Sequence, residues 1–329
     1  MKAIVQQSYG GIEQLRLLER DKPVPSDNAV LIRVRAAGVD PGVWHVMTGR
    51  PYMVRLMGLG FSRPKSPVAG WDAAGVVEAV GSGVTRFKPG DEVFGNCDAK
   101  GTGTFAEYAC LPESQCAAKP AKLSFAEAAA LAVSGCTALQ VVRDLGKVSG
   151  GMQVMILGAG GGVGHYALQI AKAYGASVTA VCSTSKLDFV RSLGADDAID
   201  YTREGLGDET RLWNVIIDTA GRRPFAELRR LLTPHGSLIV VGGEGGNAWT
   251  GDFLERMLSA SLHSLFSKQK IQVASATVKA ADLLTLTELV ETDKLKPFLH
   301  RRYRLDEAVT ALKELEAGHA RGKSVIEIA

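Results

Sequence analysis

MQVMILGAGGGVGHYALQIAKAYGA, residues 152–176, decides the fold. Met152 to Leu157 is an unbroken apolar run, as expected of a strand buried on both faces. GAGGGVG (158–164) follows at once. A helix is then predicted over Val163 to Tyr174, with Val163, Ala167, Ile170, Ala171 and Tyr174 on one face. A glycine-rich turn between a strand and a helix lets the backbone approach a pyrophosphate, and the helix start offers unpaired N–H groups and partial positive charge. The alternative is an ordinary glycine-rich turn, but the flanking elements favour a dinucleotide loop.

Working outward, the alternation continues. Strands are predicted at Ser177 to Cys182, Ala198 to Tyr201, Val215 to Thr219, Ser237 to Val241 and Gln272 to Ala274. Helices are predicted at Lys186 to Leu193, closed by Gly194, and at Pro224 to Leu232. Such alternation implies a doubly wound parallel sheet covered on both faces. On the amino-terminal side the texture changes near residue 122, where Ser124 and Glu127 form a capping box. The stretch before it is β-rich. Lys2 to Gln6, Ala29 to Ala37 and Val76 to Val80 are short apolar runs ended by turn residues, and a turn at 88–91 feeds a strand around Val93 and Phe94, suggesting a compact barrel. The tail carries an amphipathic helix from Asp306 through Leu315, ended by Gly318, and a closing strand over Ser324 to Ile328. The tail is expected to return to the first domain, placing a cleft between the two.

Composition narrows the function classes. Of the 329 residues, 46% are hydrophobic and 22% charged, so a large core is expected. A net charge of +3, with basic residues scattered, gives no case for nucleic acid or an anionic membrane. The amino terminus lacks a signal-like apolar run, and no stretch elsewhere is expected to have the length of a membrane span. Five cysteines at irregular spacing argue against a disulfide framework and point to a reducing cytoplasm.

Seven stretches carry a family resemblance: AAGVDPGVWH (36–45), PVAGWDAAGVVEAVG (67–81), FKPGDEVFG (87–95), GTFAEYA (103–109), GAGGGVGHYALQIAKAYGA (158–176), LGADDAIDY (193–201) and GHARGKSVIEI (318–328). Together they resemble the medium-chain dehydrogenase/reductase superfamily, in its zinc-free quinone oxidoreductase and enone reductase branch. The closing GHARGK pattern is most similar to the subgroup containing the mitochondrial reticulon-interacting oxidoreductase. The resemblance implies an α/β chain: a GroES-like β-barrel catalytic domain over 1–122 and 297–329, and a Rossmann NADPH-binding domain over 123–296.

The resemblance also assigns candidate residues. On the cofactor side these are Thr137, then Ala159, Gly161, Gly162, Val163 and Gly164 in the loop, Val241 and Gly242 near the nicotinamide, and His319, Ala320 and Arg321 at the carboxy-terminal contact. From the residues themselves, past the second strand, Ser183 offers a neutral donor and Lys186 a charge suited to a 2′-phosphate, unless Lys186 is a solvated residue in a first helical turn; Tyr201 matches a family tyrosine that closes over that phosphate. No carboxylate follows that strand until Asp188, which favours NADPH. On the substrate side, Asp40 stands where relatives carry asparagine against the nicotinamide ribose. It could accept a hydroxyl hydrogen bond and add negative charge there, or be a turn aspartate before Pro41. His45 could donate to an enolate oxygen, or pack at a domain edge. Tyr52 lies in a bulky loop, PYMVRLMGLGF (51–61), read as a wall of the substrate cleft or as plain packing. This loop and the stretch Trp249 to Phe266 suggest a hydrophobic substrate or a dimer contact.

Zinc-dependent members carry ligands where this chain has Asp40, Trp71 and approximately Val133, and Cys97 and Cys110 stand alone where a structural zinc loop needs clustered cysteines. The expectation is an NADPH-dependent, zinc-free reductase of a quinone or α,β-unsaturated carbonyl, as a homodimer. The alternatives are an alcohol or ketone dehydrogenase and a non-catalytic NADPH-binding protein.

Overall fold

The computed structural model describes residues 1–53, 55–56, 60–97, 102–206, 211–241, 268–318 and 320–329. Two compact units divide the chain. One comprises Met1–Cys136, Thr277–Asp293 and Pro297–Ala329; the other comprises Thr137–Ala276 and Lys294–Lys296.

In the first unit, β1 (Lys2–Gln6) pairs antiparallel with β2 (Leu15–Glu19). The larger sheet is built on β3 (Ala29–Val39), β4 (Asp72–Val80), β5 (Glu92–Asn96), β6 (Tyr108–Pro112) and β7 (Cys116–Ala118). The tail supplies β14 (Leu299–Arg304) and β15 (Lys323–Glu327), giving the order β14-β15-β3-β4-β5-β7, with β6 also on β3. The expected return of the tail is therefore met by β15 pairing antiparallel with β3, Ser324 opposite Val39. The helices of this unit are α1 (Pro41–Thr48), α6 (Ala280–Glu291), α7 (Ala308–Ala317) and most of α2 (Phe125–Gln140). The Ser124 capping box forms. The Ser124 amide donates to Glu127 at 2.9 Å and the Glu127 amide to Ser124 Oγ at 3.3 Å.

The second unit holds β8 (Gln153–Leu157), α3 (Gly164–Ala173), β9 (Ser177–Cys182), α4 (Leu187–Ser192), β10 (Asp197–Asp200), β11 (Trp213–Asp218), α5 (Phe225–Arg230), β12 (Leu232–Val240) and β13 (Lys270–Val273). All strands are parallel, in the order β10-β9-β8-β11-β12-β13. The order reverses direction at β8, the point where α/β sheets bind ligands.

One sequence reading needs correction. Residues 125–145, α2 with the turn that continues it, are long and apolar enough to span a membrane, with a mean hydropathy of 1.5. Because 72% of the most apolar window is buried inside the protein, the physical reading is a core helix rather than a span.

Candidate functional site

The glycine loop forms as its sequence demands. Gly158 takes φ +74°, a conformation that favours glycine, and turns the chain off β8. A Cβ on Gly164 would lie 2.2 Å from the carbonyl oxygen of Gly158, so α3 can start this close to the strand end only without a side chain. The amides of Gly162 and Val163, at the start of α3, donate to no acceptor among the described residues. Those N–H groups, with the helix dipole behind them, fit a pyrophosphate. Thr219 beside the loop is already spent, its hydroxyl donating to Leu157 O at 2.7 Å. Val241 sits one strand away, its amide bonded to Asp218 O at 2.9 Å. Thr137 is half-buried in α2. Gly242, His319 and the Trp249 to Phe266 stretch lie outside the described residues.

Lys186 comes to this loop. A Cβ on Gly160 would meet Lys186 Cδ at 2.8 Å, so the lysine stem lies across the bare backbone of the loop. Ser183 faces Ser185 at 3.3 Å between their hydroxyls, and Tyr201 is half exposed just past β10. No carboxylate follows the second strand along the chain until Asp188, but the neighbouring strand brings one beside its end. Asp200, on the neighbouring strand and in register with Cys182, accepts hydrogen bonds from the Thr184 and Thr202 hydroxyls. Those two bonds hold its carboxyl below the usual carboxylate range, so it is anionic at neutral pH. Parallel pairing of β9 with β10 delivers this charge, and distance counted along the chain does not reveal it.

In the first unit, Asp40 begins α1 with Pro41 as the first helical residue, yet its side chain does not cap the helix. It turns inward, 2% exposed, and ion-pairs with Lys323 of β15, also 2% exposed. Ser134 of α2 donates to the same carboxylate oxygen at 3.0 Å, and Lys323 Nζ also donates to Val39 O at 3.0 Å. The negative charge expected here is thus neutralised inside the protein, and the simple turn-aspartate alternative does not describe the residue. Burial would raise the Asp40 carboxyl, but the Lys323 charge and the hydrogen bonds outweigh it and hold the group low. Sequence analysis missed Lys323 and Asp72. For Lys323 the available signal was a charged residue opening the strand pattern KSVIEI.

His45 lies one turn into α1. Its Nδ1 sits 2.9 Å from Arg50 O. A carbonyl only accepts, so Nδ1 carries the hydrogen and neutral His45 presents Nε2 as an acceptor. Donation from Nε2 therefore requires the imidazolium. Tyr52 is half-buried, with the Arg55 guanidinium 4.6 Å from its ring centre. Arg55 also stacks on Tyr9 at 4.2 Å and donates to Gly49 O at 2.9 Å. It staples the described part of the 51–61 loop to the end of α1, a role the sequence did not disclose. A narrow apolar concavity nearby is lined by Gln6, Val43, Met47, Gly70, Trp71 and Cys97. The Trp71 ring fills the space over Gly42, where a Cβ would come within 2.5 Å of it.

Residues 26–121 match the alcohol dehydrogenase GroES-like domain, and residues 193–326 match the zinc-binding dehydrogenase domain. A chloroplast envelope quinone oxidoreductase homolog of Arabidopsis thaliana is 32% identical, the alignment covering 99% of this chain and 98% of that one. The chain belongs to the medium-chain dehydrogenase/reductase superfamily. It is also similar to a 2-methylene-furan-3-one reductase of Solanum lycopersicum, 35% identical over 99% of this chain and 79% of that protein. The quinone oxidoreductase of Coxiella burnetii superposes with a TM-score of 0.86 at 29% identity, covering 100% of this chain and 99% of that one.

Within the superfamily, zinc chemistry needs about four ligands in tetrahedral array. At the three ligand positions this member has a carboxylate engaged with Lys323, an indole packed on Gly42, and Val133, whose amide donates to Asp72 at 3.2 Å. Cys97 and Cys110 form no disulfide, and the buried Cys97 thiol donates to Gly70 O at 3.5 Å.

Proposed function

We propose that this protein is an NADPH-dependent oxidoreductase that passes hydride, without zinc, to a quinone or an α,β-unsaturated carbonyl. One observation carries the reading: the zinc-ligand positions hold an ion-paired Asp40, a packed Trp71 and Val133, while the glycine loop retains free amides and Lys186. A bound NADPH supplies the hydride. Gly162, Val163 and the start of α3 would hold its pyrophosphate, Lys186 its 2′-phosphate, with Ser183 and Tyr201 beside it. The remaining cofactor candidates are Thr137, Ala159, Gly161, Gly164, Val241, Gly242, His319, Ala320 and Arg321.

Lacking a Lewis acid, the substrate side suits acceptors that need only hydride, hydrogen-bond donors and a proton. An alkene conjugated to a carbonyl and a quinone both qualify. A panel of quinones and short enones should consume NADPH, and ethanol with NADP should give no turnover. Efficient, chelator-sensitive alcohol oxidation would favour an alcohol dehydrogenase. Tight cofactor binding with no turnover across the panel would favour a non-catalytic NADPH binder. The apolar lining around Trp71 supports a hydrophobic substrate, and five cysteines that form no disulfide support a cytoplasmic setting.

His45 and Tyr52 supply the substrate-side polar groups. His45→Ala or Tyr52→Phe should lower kcat several-fold while the NADPH dissociation constant changes little, because water can replace a lost proton donor. Kinetics unchanged in both variants would reduce these residues to packing.

We also propose a homodimer. Among the described strands β13 ends the second unit's sheet, leaving an edge that a symmetric copy can pair. Light scattering after size exclusion should give twice the chain mass at micromolar concentration, and a monomer would contradict it.

A further inference from the structure

The buried cluster at the start of α1 holds two carboxyls and one ammonium. Asp72, the first residue of β4, is fully buried, and Asp40 and Lys323 are each 2% exposed. Gly38 of β3 makes room for it, since a Cβ there would fall 2.9 Å from Asp72 Cβ. Asp40 Oδ1 accepts from Ser134 and Lys323, and Asp72 Oδ2 accepts from the Val133 amide. The two remaining oxygens, Asp40 Oδ2 and Asp72 Oδ1, are buried and find no donor among the other groups. Yet the two carboxyls lie close enough for a hydrogen bond between them. Two carboxylate oxygens only accept, so such a bond exists only if one carboxyl keeps its proton. A single proton between them satisfies both oxygens at once.

We propose that Asp72 and Asp40 share one proton and, with Lys323, form a charge-neutral buried clamp that positions the start of α1 for the reaction. The clamp ties Asp40, the residue that precedes α1, to β15 through Lys323, to α2 through Ser134 and to β4 through Asp72. Asp72 is a positioning residue that acts through Asp40. The charged groups facing Asp72 are Asp40 at the end of β3 and Lys323 of β15, while α2 offers the Val133 amide and the Ser134 hydroxyl reaches Asp40. Asp72 carries the proton because it has the weaker support. Burial, then the neighbouring Asp40 charge, push its carboxyl well above the ordinary range.

The sign of the pH dependence follows. A carboxyl raised in the folded state binds more proton there than in the unfolded chain. Its contribution to stability is therefore greatest below the unfolded value near 4 and declines as pH rises toward the folded value. Asp72→Asn copies the neutral acid. Its amide NH₂ can donate to Asp40 while its oxygen accepts from Val133, and it cannot ionise. The full-length parent and Asp72→Asn are compared by thermal unfolding between pH 6 and pH 9. The parent's midpoint should fall relative to the variant's by about 3 °C or more across that range. Parallel midpoints, or a variant destabilised equally at every pH, would overturn the shared proton.

A second measurement needs no variant. Infrared spectra of the parent carrying carbon-13-labelled aspartate should show a protonated carboxyl at pH 7, and a fully ionised set would overturn the proposal. The positioning half rests on the reductase reading above. There, kcat in the parent should decline at alkaline pH with KM steady, and the decline should vanish in Asp72→Asn. A kcat decline common to both proteins would overturn the positioning role. Absence of turnover in both, with the infrared signal present, would count against the reductase reading and not the shared proton.

Discussion

Lys186→Ala is expected to erase most of a preference for NADPH over NADH of at least about tenfold, leaving NADH affinity nearly unchanged. The lysine stem already lies across Gly160, so the ammonium reaches the neighbourhood of the phosphate loop without rearrangement of α4. An ammonium–phosphate contact contributes on the order of 1.5–3 kcal/mol, roughly ten- to a hundredfold in affinity. Asp200 sets where in that range the protein falls. Its carboxylate accepts from Thr184, two residues before Lys186, and would repel a 2′-phosphate bound beside it while favouring a ribose hydroxyl. The expectation is therefore near the lower bound. Dissociation constants for NADPH and NADH, titrated in the parent and the variant, check it. Equal constants in the parent would show that the Lys186 site is misread.

The elements around that site were legible because their pattern is local. The strand Ser177–Cys182 forms with the boundaries its apolar run predicts, and α3 differs from the predicted helix by one residue at each end. The Ser124–Glu127 box, three residues apart, also needs no tertiary information. Three features escaped for physical reasons. The strand Leu299–Arg304 reads LHRRYR, and most of its side chains are exposed, so its pairing with β15 leaves no apolar alternation. The helix Pro41–Thr48 is only eight residues long and carries two β-branched valines, which weakens any local signal. The Asp40–Lys323 pair joins residues 283 positions apart, and no periodicity or spacing can announce it. Asp200 is the same lesson at shorter range. A search along one strand for a carboxylate misses the one delivered by the next strand in the sheet.

The candidate substrate side was legible in part. Asp40 was singled out as a departure from the family's asparagine, and the structure gives that departure a reason: it comes with Lys323 as buried counter-ion. The charge expected beside the nicotinamide is thereby cancelled, so no discrimination against anionic substrates follows from Asp40 alone. Tyr52 was identified, but Arg55, which holds it, was not, because a stacking cation looks like any other loop arginine in sequence.

The second large effect concerns where the hydride goes. A metal-assisted dehydrogenase polarises a carbonyl and delivers hydride to its carbon, giving an alcohol. On the zinc-free reading proposed above, positions 40, 71 and 133 supply no such site, so delivery to the β carbon of a conjugated alkene should dominate, with the carbonyl left intact. Chelator treatment should leave that rate unchanged. The most direct measurement is the position of deuterium in the product after turnover of a short enone with NADPH deuterated at the transferring position, using protein stripped of metal. One deuterium on the β carbon of a saturated ketone is the predicted result. Deuterium on the carbinol carbon of an allylic alcohol, or turnover that appears only when zinc is restored, would contradict the account.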